Sequence, residues 1–344
     1  MSRMRQIAKF CLLFGLAIVV GLNILARLLA QQPATAPATP AAPANKSPHQ
    51  QKAADNKAAK APSGKFLRVQ RDKKGTATSL DTGIAHYKNP AVTDGPIVDL
   101  ISAVHVGEKK YYEELNKLFE KYDAVLYELV AEEGTRVPKG GGERRGVISG
   151  IQGGLKDMLE LEFQLEQVDY QKENLVHADL SPEKFAAAMK ERGETMLSMM
   201  FRMMGQSMAM QGEMQAKGKN TDMEILMALF SKDRPLKLKR AMAGQFENME
   251  LFTQAMGGPD GSTIIEGRNA ACLEVLKKEL DAGKKKIAIF YGAGHMTDME
   301  KQLAKKFELQ FTGEDWLEAW DMRDKPAAAK PAPRRAPAAG NSPK

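Results

Sequence analysis

Two segments of the chain repeat one pattern: an apolar run, a few small residues, a histidine and then a stretch with helical spacing. The first segment, residues 97–106, contains His105, and the second, residues 286–295, ends at His295. Apolar runs of this kind, alternating with helical stretches, are typical of strands that are buried on both faces of a sheet. The pattern therefore predicts an α/β fold with both imidazoles at the carboxyl ends of strands, where such sheets usually bind ligands.

The rest of the region between residues 66 and 322 extends this prediction to a central mixed sheet covered by helices. Further strands are predicted at 66–71, 77–87, 124–130, 175–178 and 307–311, and helices at 108–122, 144–168, 263–281 and 296–306. Strand–helix–strand units at both ends of one region indicate a single mixed α/β domain.

Residues 183–256 are predicted to form a large, entirely helical insertion over that sheet. Eleven of the 20 methionines lie between residues 189 and 227, and six of them follow one helical face: Met196, Met199, Met200, Met203, Met204 and Met208. Packing of adaptable side chains on the core is the favoured interpretation. A pliable surface for a peptide or partner comes second, and copper(I) binding by thioethers third.

The N-terminal residues 1–30 are predicted to form a signal anchor. Three basic residues precede an apolar run at 10–26, which reaches the lower limit for spanning a bilayer. Positive charge ahead of the run predicts a cytoplasmic N-terminus and a folded domain on the extracytoplasmic side of the cell membrane, as a single-pass protein. Cleavage after Ala30, which gives a secreted or periplasmic protein, is the alternative.

Segments 31–65 and 323–344 are rich in Ala, Pro and Lys and are predicted to be a disordered linker and a disordered basic tail. The formal net charge is +7, but residues 1–65 and 323–344 together hold +13, which leaves −6 for residues 66–322. An acidic folded domain argues against a nucleic-acid partner. The two cysteines are too few for a disulfide framework.

The candidate chemistry rests on two histidines and one acidic residue. Glu128 lies inside the apolar run 124–130, and a buried carboxylate needs a cation, a metal ion or strong hydrogen bonds. With His105 and His295 it would make an open metal site of two imidazoles and one carboxylate, with water in the remaining positions.

Arg268 is near the start of the helix predicted at 263–281, where it could supply positive charge for an oxyanion or a substrate carboxylate. From spacing alone, a surface salt bridge with Glu266 is the favoured account. His177 is interpreted as structural, the Gly-x-x-His pattern ending at His86 as a coincidence, and His49 belongs to the predicted linker.

Four motifs in this order resemble the TraB/PrgY–GumN–TIKI superfamily. They are residues 102–105 followed by a tyrosine-containing helix, the strand ending in Tyr127-Glu128, the sequence Glu-Gly-Arg-Asn at 266–269, and the sequence Tyr-Gly-Ala-Gly-His at 291–295. The resemblance covers most of residues 95–311. It implies a fold of the EreA/ChaN-like type. It also implies a relationship to membrane-tethered, metal-dependent peptidases that prefer manganese or cobalt, and to proteins that limit peptide-pheromone signalling.

The resemblance also assigns residues. The two Gly-x-x-His motifs of the superfamily correspond to residues 102–105 and 292–295, its acidic residue to Glu128 and its arginine to Arg268. Ser102 stands where the superfamily usually has glycine. Serine is small enough to preserve the local turn where φ is negative.

The leading hypothesis is an anchored, exported, metal-dependent hydrolase with a peptide or protein substrate. His105, His295 and Glu128 are the predicted ligands of a divalent ion, manganese or cobalt by resemblance, with zinc as an alternative. Glu128, as ligand or general base, and Arg268 are the predicted catalytic residues. The second hypothesis is a non-catalytic peptide- or partner-binding protein of the same fold, acting in signalling or envelope regulation. A basic-tailed scaffold for envelope polymers is the third.

Overall fold

The computed structural model describes residues 65–135, 137–141, 158–195, 197–198, 201, 205, 221–246 and 261–324. The predicted anchor, nearly all of the linker, most of the basic tail and all six methionines of the predicted stripe lie outside these residues. No helix within the described ranges is long and apolar enough to cross a membrane.

A seven-stranded mixed sheet forms the centre of the domain, as predicted. The strands are β1 (Leu67–Arg71), β2 (Ala77–Lys88), β3 (Ile97–Ala103), β5 (Ala124–Tyr127), β7 (Leu175–His177), β8 (Lys286–Gly292) and β9 (Gln310–Asp321). Their order in the sheet is β1–β2–β3–β8–β5–β7, and β9 pairs with the other side of β2. Strands β3, β8, β5 and β7 run parallel, whereas β1, β2 and β9 are antiparallel to their neighbours. A separate two-stranded ribbon joins β4 (Val106–Gly107) to β6 (Glu162–Phe163).

Helices cover both faces of the sheet. They are α1 (Lys109–Phe119), α2 (Gln164–Gln167), α3 (Pro182–Glu191), α4 (Thr221–Leu229), α5 (Arg234–Phe246), α6 (Arg268–Asp281) and α7 (Met296–Phe307). Buried side chains of α1, α4 and α5 belong to one core cluster. Those of α6 and α7 belong to a second cluster on the opposite face of β3 and β8. These five helices bury side chains in the two clusters that cover the sheet, which is the arrangement expected of an α/β domain.

The last predicted strand was placed wrongly. Residues 307–311 were expected to form it, but α7 continues to Phe307 and is closed by Glu308 in the left-handed conformation, with φ of 56°. The strand is β9, which pairs along β2 from Lys88 to Ser79. Its outer positions are acidic and exposed because it lies at the sheet edge, so its sequence lacks the apolar run of a central strand.

Two helical predictions also need correction. Within 144–168, the described residues are helical at 158–159 and in the four-residue α2, but residues 162–163 form β6 because Val106 and Gly107 offer strand pairing to them. The described part of 183–256 is helical but not continuously so: α3 ends before Gly193, whose φ of 64° suits glycine, and a turn separates α4 from α5.

Candidate active site

The carboxyl ends of the parallel strands bring most of the predicted site residues together. Glu128 directly follows β5, and Asp179 lies two residues beyond β7. His295 ends a short 3₁₀ turn that follows β8, and His105 lies two residues beyond β3. Because parallel strands point the same way, these residues meet at one edge of the sheet.

Arg268 is buried between two carboxylates at this edge. Its Nη2 lies 2.8 Å from Glu128 Oε1 and 2.5 Å from Asp179 Oδ2, and its Nε donates to Asp179 Oδ1 at 3.0 Å. Burial opposes the charge of the guanidinium, but the carboxylates of Asp179 and Glu128 outweigh burial and raise the pKa of Arg268. The surface salt bridge expected between Arg268 and Glu266 is therefore wrong.

Glu266 has a different partner. Its carboxylate accepts a hydrogen bond from the Ser262 backbone N–H at 2.6 Å and so caps the turn that leads into α6. That turn, Thr263–Gly267, is a π-helix that ends directly at Arg268. Sequence spacing alone favoured Glu266 as the partner of Arg268. In the fold, Arg268 instead contacts two carboxylates that follow strands distant in sequence.

Glu128 is charged at this edge although it is only 8% exposed. Burial by itself raises the pKa of a carboxyl group, but the Arg268, His295 and His105 side chains, together with the Gly292 N–H, reverse the effect and hold the pKa of Glu128 below its ordinary value. The Gly292 N–H donates to Glu128 Oε2 at 2.7 Å. Both carboxylate oxygens are thereby fixed in direction.

Asn269 fixes the proton of His295. The Asn269 Nδ2 donates to the His295 carbonyl at 3.1 Å and to Asp298 Oδ2 at 2.9 Å, so the Asn269 Oδ1 is an acceptor. This oxygen lies 2.7 Å from His295 Nδ1, which must therefore carry the hydrogen. Burial, opposed by the Glu128 charge, lowers the pKa of His295 to about 4, so its ring is neutral at pH 7 and its Nε2 has a free lone pair.

The unprotonated Nε2 of His295 lies near a carboxylate oxygen. Nε2 lies 3.7 Å from Glu128 Oε1, and neither atom carries a proton. Two ligand atoms of a tetrahedral ion, each about 2.1 Å from it, are roughly 3.4 Å apart. A carboxylate oxygen has two lone pairs, so the bond from Arg268 leaves Oε1 one for an ion. This pair of atoms fits a divalent cation.

His105 is the least closely placed of the predicted ligands. Its side chain is half-buried, and its backbone carbonyl accepts a hydrogen bond from the Gln164 N–H at 2.9 Å. Its charge contributes to lowering the pKa of both Glu128 and His295, so it shares their electrostatic environment. Within the described ranges, no three His, Cys, Asp or Glu side chains are grouped so that they could hold an ion.

Ser102, the residue that departs from the superfamily motif, causes no backbone strain. It is the next-to-last residue of β3, and the described non-glycine residues with positive φ are Glu160 and Glu308. The other two histidines of the folded region have separate partners. His177 Nε2 donates to the Leu129 carbonyl at 2.6 Å, which agrees with the structural interpretation.

His86 is hydrogen-bonded in a second polar cluster away from the candidate site, which agrees with the interpretation of its Gly-x-x-His pattern as a coincidence. Its Nδ1 lies 2.9 Å from Asp99 Oδ1 and its Nε2 3.3 Å from Asp315 Oδ2. Asp99 also accepts from the Tyr122 hydroxyl at 2.7 Å. These contacts link β2, β3 and β9 and leave His86 outside the candidate site.

Asp179 and Asn269 are the site residues that the sequence analysis missed. Asp179 follows a predicted strand, as Glu128 does, and the same reasoning about strand ends would have singled it out. Asn269 belongs to the Glu-Gly-Arg-Asn motif at 266–269, from which only Arg268 was given a role.

Comparison with known proteins adds no relative. No family model, no curated protein and no solved structure matches the chain. The resemblance to the TraB/PrgY–GumN–TIKI superfamily therefore stays a prediction from the four motifs.

Proposed function

We propose that this protein is a metal-dependent hydrolase that cleaves peptides or proteins. The observation that carries the proposal is the distance of 3.7 Å between two buried, unprotonated atoms, His295 Nε2 and Glu128 Oε1. Asn269 holds the imidazole in the tautomer that a ligand requires, as the hydrogen-bond partners of metal-bound histidines do. The buried Arg268 beside the pair adds a fixed positive charge.

His295 and Glu128 would hold the ion, and His105 is the third ligand that the sequence predicts. When bound, a divalent ion lowers the pKa of a water molecule and polarises a carbonyl. Manganese or cobalt is favoured by the resemblance, with zinc as the alternative.

Arg268 has two tasks in this proposal. Its Nε and Nη2 bond to Asp179 and Glu128, which fixes the direction of the Glu128 carboxylate. A guanidinium has five donors, so the Nη1 hydrogens remain to stabilise a developing oxyanion. Glu128 has one of two roles: it is a ligand of the ion, or its carboxylate is the general base that accepts a proton from the attacking water molecule.

The proposal includes the place of the enzyme in the cell. Residues 1–30 would anchor the chain in the cell membrane, residues 31–65 would hold the domain away from it, and the domain would lie on the extracytoplasmic side. Residues 183–256 would form the methionine-rich helical insertion; helices α4 and α5 in this region pack on the core beside β1 and β2.

The decisive experiment measures metal content and peptide hydrolysis on the full chain purified in detergent. After chelation, manganese, cobalt or zinc is added back, and bound metal and cleavage of a quenched fluorescent peptide library are recorded. We expect one ion per chain, lost in His295→Ala and Glu128→Gln and kept in His49→Ala, which alters only the predicted linker.

The outcomes separate the hypotheses. Metal-dependent cleavage that disappears in His295→Ala supports the hydrolase. A folded wild-type chain that binds no ion contradicts it and leaves the non-catalytic binding protein. Ion binding without cleavage of any library peptide would support the metal site and contradict the peptidase activity.

A further inference from the structure

Helix α4 is apolar on its outer side as well as on its inner side. Its inner side packs on the core through Ile225, Ala228 and Leu229. Its outer side forms a stripe of four exposed residues, spaced i, i+3, i+4 and i+7 and continuing one residue past the helix: Met223, Leu226, Met227 and Phe230. A helix that is apolar all round is expected to be covered on both sides.

The side chains at the end of this outer stripe are highly exposed to solvent. Phe230 is 84% exposed and Met227 is 67% exposed. Side chains that line a groove are shielded by its walls, so such high exposure favours a broad, soft partner over a bound peptide. Contiguous apolar residues of this kind mark interaction or membrane sites.

Three of the four charged residues just beyond the exposed end of the stripe are basic. Lys232, Arg234 and Lys237 follow Phe230 and are exposed, and the exposed Asp233 lies among them. The three basic residues differ from two neighbours in α5, Lys239 and Arg240, whose side chains form ion pairs with Glu108 and Asp324.

The opposite end of α4 is acidic. Asp222 and Glu224 lie in its first turn, and Glu224 is exposed. The helix therefore changes from acidic at its start to apolar at its end, and the basic residues lie beyond that end.

We infer that the outer stripe of α4 docks on an anionic lipid surface. Phe230 enters the interface first, with Met227 and Leu226 behind it, and Lys232, Arg234 and Lys237 meet the lipid phosphates. Apolar side chains next to lysine and arginine are the combination that binds anionic membrane surfaces. This inference goes beyond the proposed hydrolase and does not depend on the metal site.

The predicted linker makes the contact geometrically feasible. A flexible segment of about 34 residues has an end-to-end distance of roughly 33 Å, so the linker leaves the domain free to turn any face toward the bilayer. Tethering also raises the local concentration to the order of millimolar, so a weak contact is enough to orient the domain. The α4–α5 side of the sheet then faces the lipid and the α6–α7 side faces away.

The test measures the depth of spin labels on the full chain in lipid vesicles. Labels are placed at Phe230→Cys, at Met223→Cys and, as the control on the opposite side of the sheet, at exposed Lys278→Cys, all with Cys11→Ser. The native Cys272 is buried and burial raises its pKa, so it stays unlabelled. Accessibility to oxygen and to a water-soluble nickel chelate is compared in neutral and in phosphatidylglycerol-containing vesicles.

We expect the Phe230 label to gain oxygen contact and to lose nickel contact several-fold in the anionic vesicles. The Met223 label should lie shallower, and the Lys278 label should stay in water. The triple variant Lys232→Glu, Arg234→Glu, Lys237→Glu should return the Phe230 label to water.

A matched triple variant on the α6–α7 side, Lys285→Glu, Lys301→Glu, Lys305→Glu, should leave the Phe230 label in the lipid. A Phe230 label as accessible to nickel as the Lys278 label in both vesicle types would overturn the inference. A Phe230 label shielded from both reagents would also overturn it, because protein would then cover the stripe, from this chain, a second copy or a partner. A Phe230 label that is buried as deeply in neutral vesicles as in anionic ones would overturn the inference that the lipid surface must be anionic.

Discussion

Replacing Arg268 by methionine tests how much of the domain's stability depends on the buried ion pair. The Arg268 Nη2 lies 2.8 Å from Glu128 Oε1 and 2.5 Å from Asp179 Oδ2. At an effective dielectric constant of about 20, unit charges this close attract each other by about 6 kcal/mol. The desolvation of buried charges offsets much of that attraction, so the intact pair contributes far less than this in net terms.

Arg268→Met is expected to lower the free energy of unfolding because two buried carboxylates keep their negative charge. Methionine keeps much of the side-chain length, but Glu128 and Asp179 then lose their cation while remaining buried. Removal of one partner from a buried pair costs about 3–5 kcal/mol. We expect about 4 kcal/mol less free energy of unfolding in Arg268→Met, measured by urea denaturation of the full chain with near-ultraviolet circular dichroism.

Two further variants make the measurement specific. Lys277→Met breaks an exposed ion pair with Asp281 and should change the unfolding free energy by less than about 1 kcal/mol. The triple variant Glu128→Gln, Asp179→Asn, Arg268→Met removes the uncompensated charge and should regain most of the loss. A loss below 1 kcal/mol in Arg268→Met, or a triple variant no more stable than the single one, would refute the reasoning.

Three other substitutions have definite expectations. Asn269→Leu removes the acceptor that orients His295, so metal affinity, measured by competition with a chelating dye, should fall about 10- to 100-fold; unchanged affinity would contradict this role. Gly292→Ala places a Cβ 3.3 Å from Glu128 Oε2. It should lower metal affinity several-fold with less than about 1 kcal/mol change in unfolding free energy. Unchanged metal affinity together with a larger loss of unfolding free energy would mean that the carboxylate position is unimportant. Gly83→Ala places a Cβ 2.6 Å from a backbone carbonyl oxygen of the preceding segment. It should cost about 2–3 kcal/mol in urea denaturation, and an unchanged midpoint would exclude that close packing.

The central strands were predictable because burial on both faces requires a continuous apolar run. Strands β3, β5 and β8 each contain such a run, and the structure places them side by side in the sheet. Strand β9 has no comparable run because its outer edge faces water. Strand β6 is only two residues long and exists because β4 pairs with it, which no local pattern indicates.

The site residues likewise divide into those that the sequence predicted and those that it did not. Glu128 and the two motif histidines were predictable because each has a local signature, a polar residue next to an apolar run. The partners were not, because they are distant in sequence: Arg268 and Asp179 are 89 residues apart, and the side chain of Asn269 contacts a backbone 26 residues away. Spacing along one helix led to Glu266 as the partner of Arg268, whereas the packing of α6 against β5 and β8 decided the outcome.

The position of β8 has a consequence for biosynthesis. This strand is the next to last in sequence, yet it lies between β3 and β5 and bonds to both. Until it leaves the ribosome, the two earlier strands have no neighbour to join them, and the growing chain cannot close its sheet. Contacts between such distant segments slow folding. A chain that is predicted to cross a membrane during export would benefit from this delay, because it stays extended until its carboxyl-terminal quarter has been made.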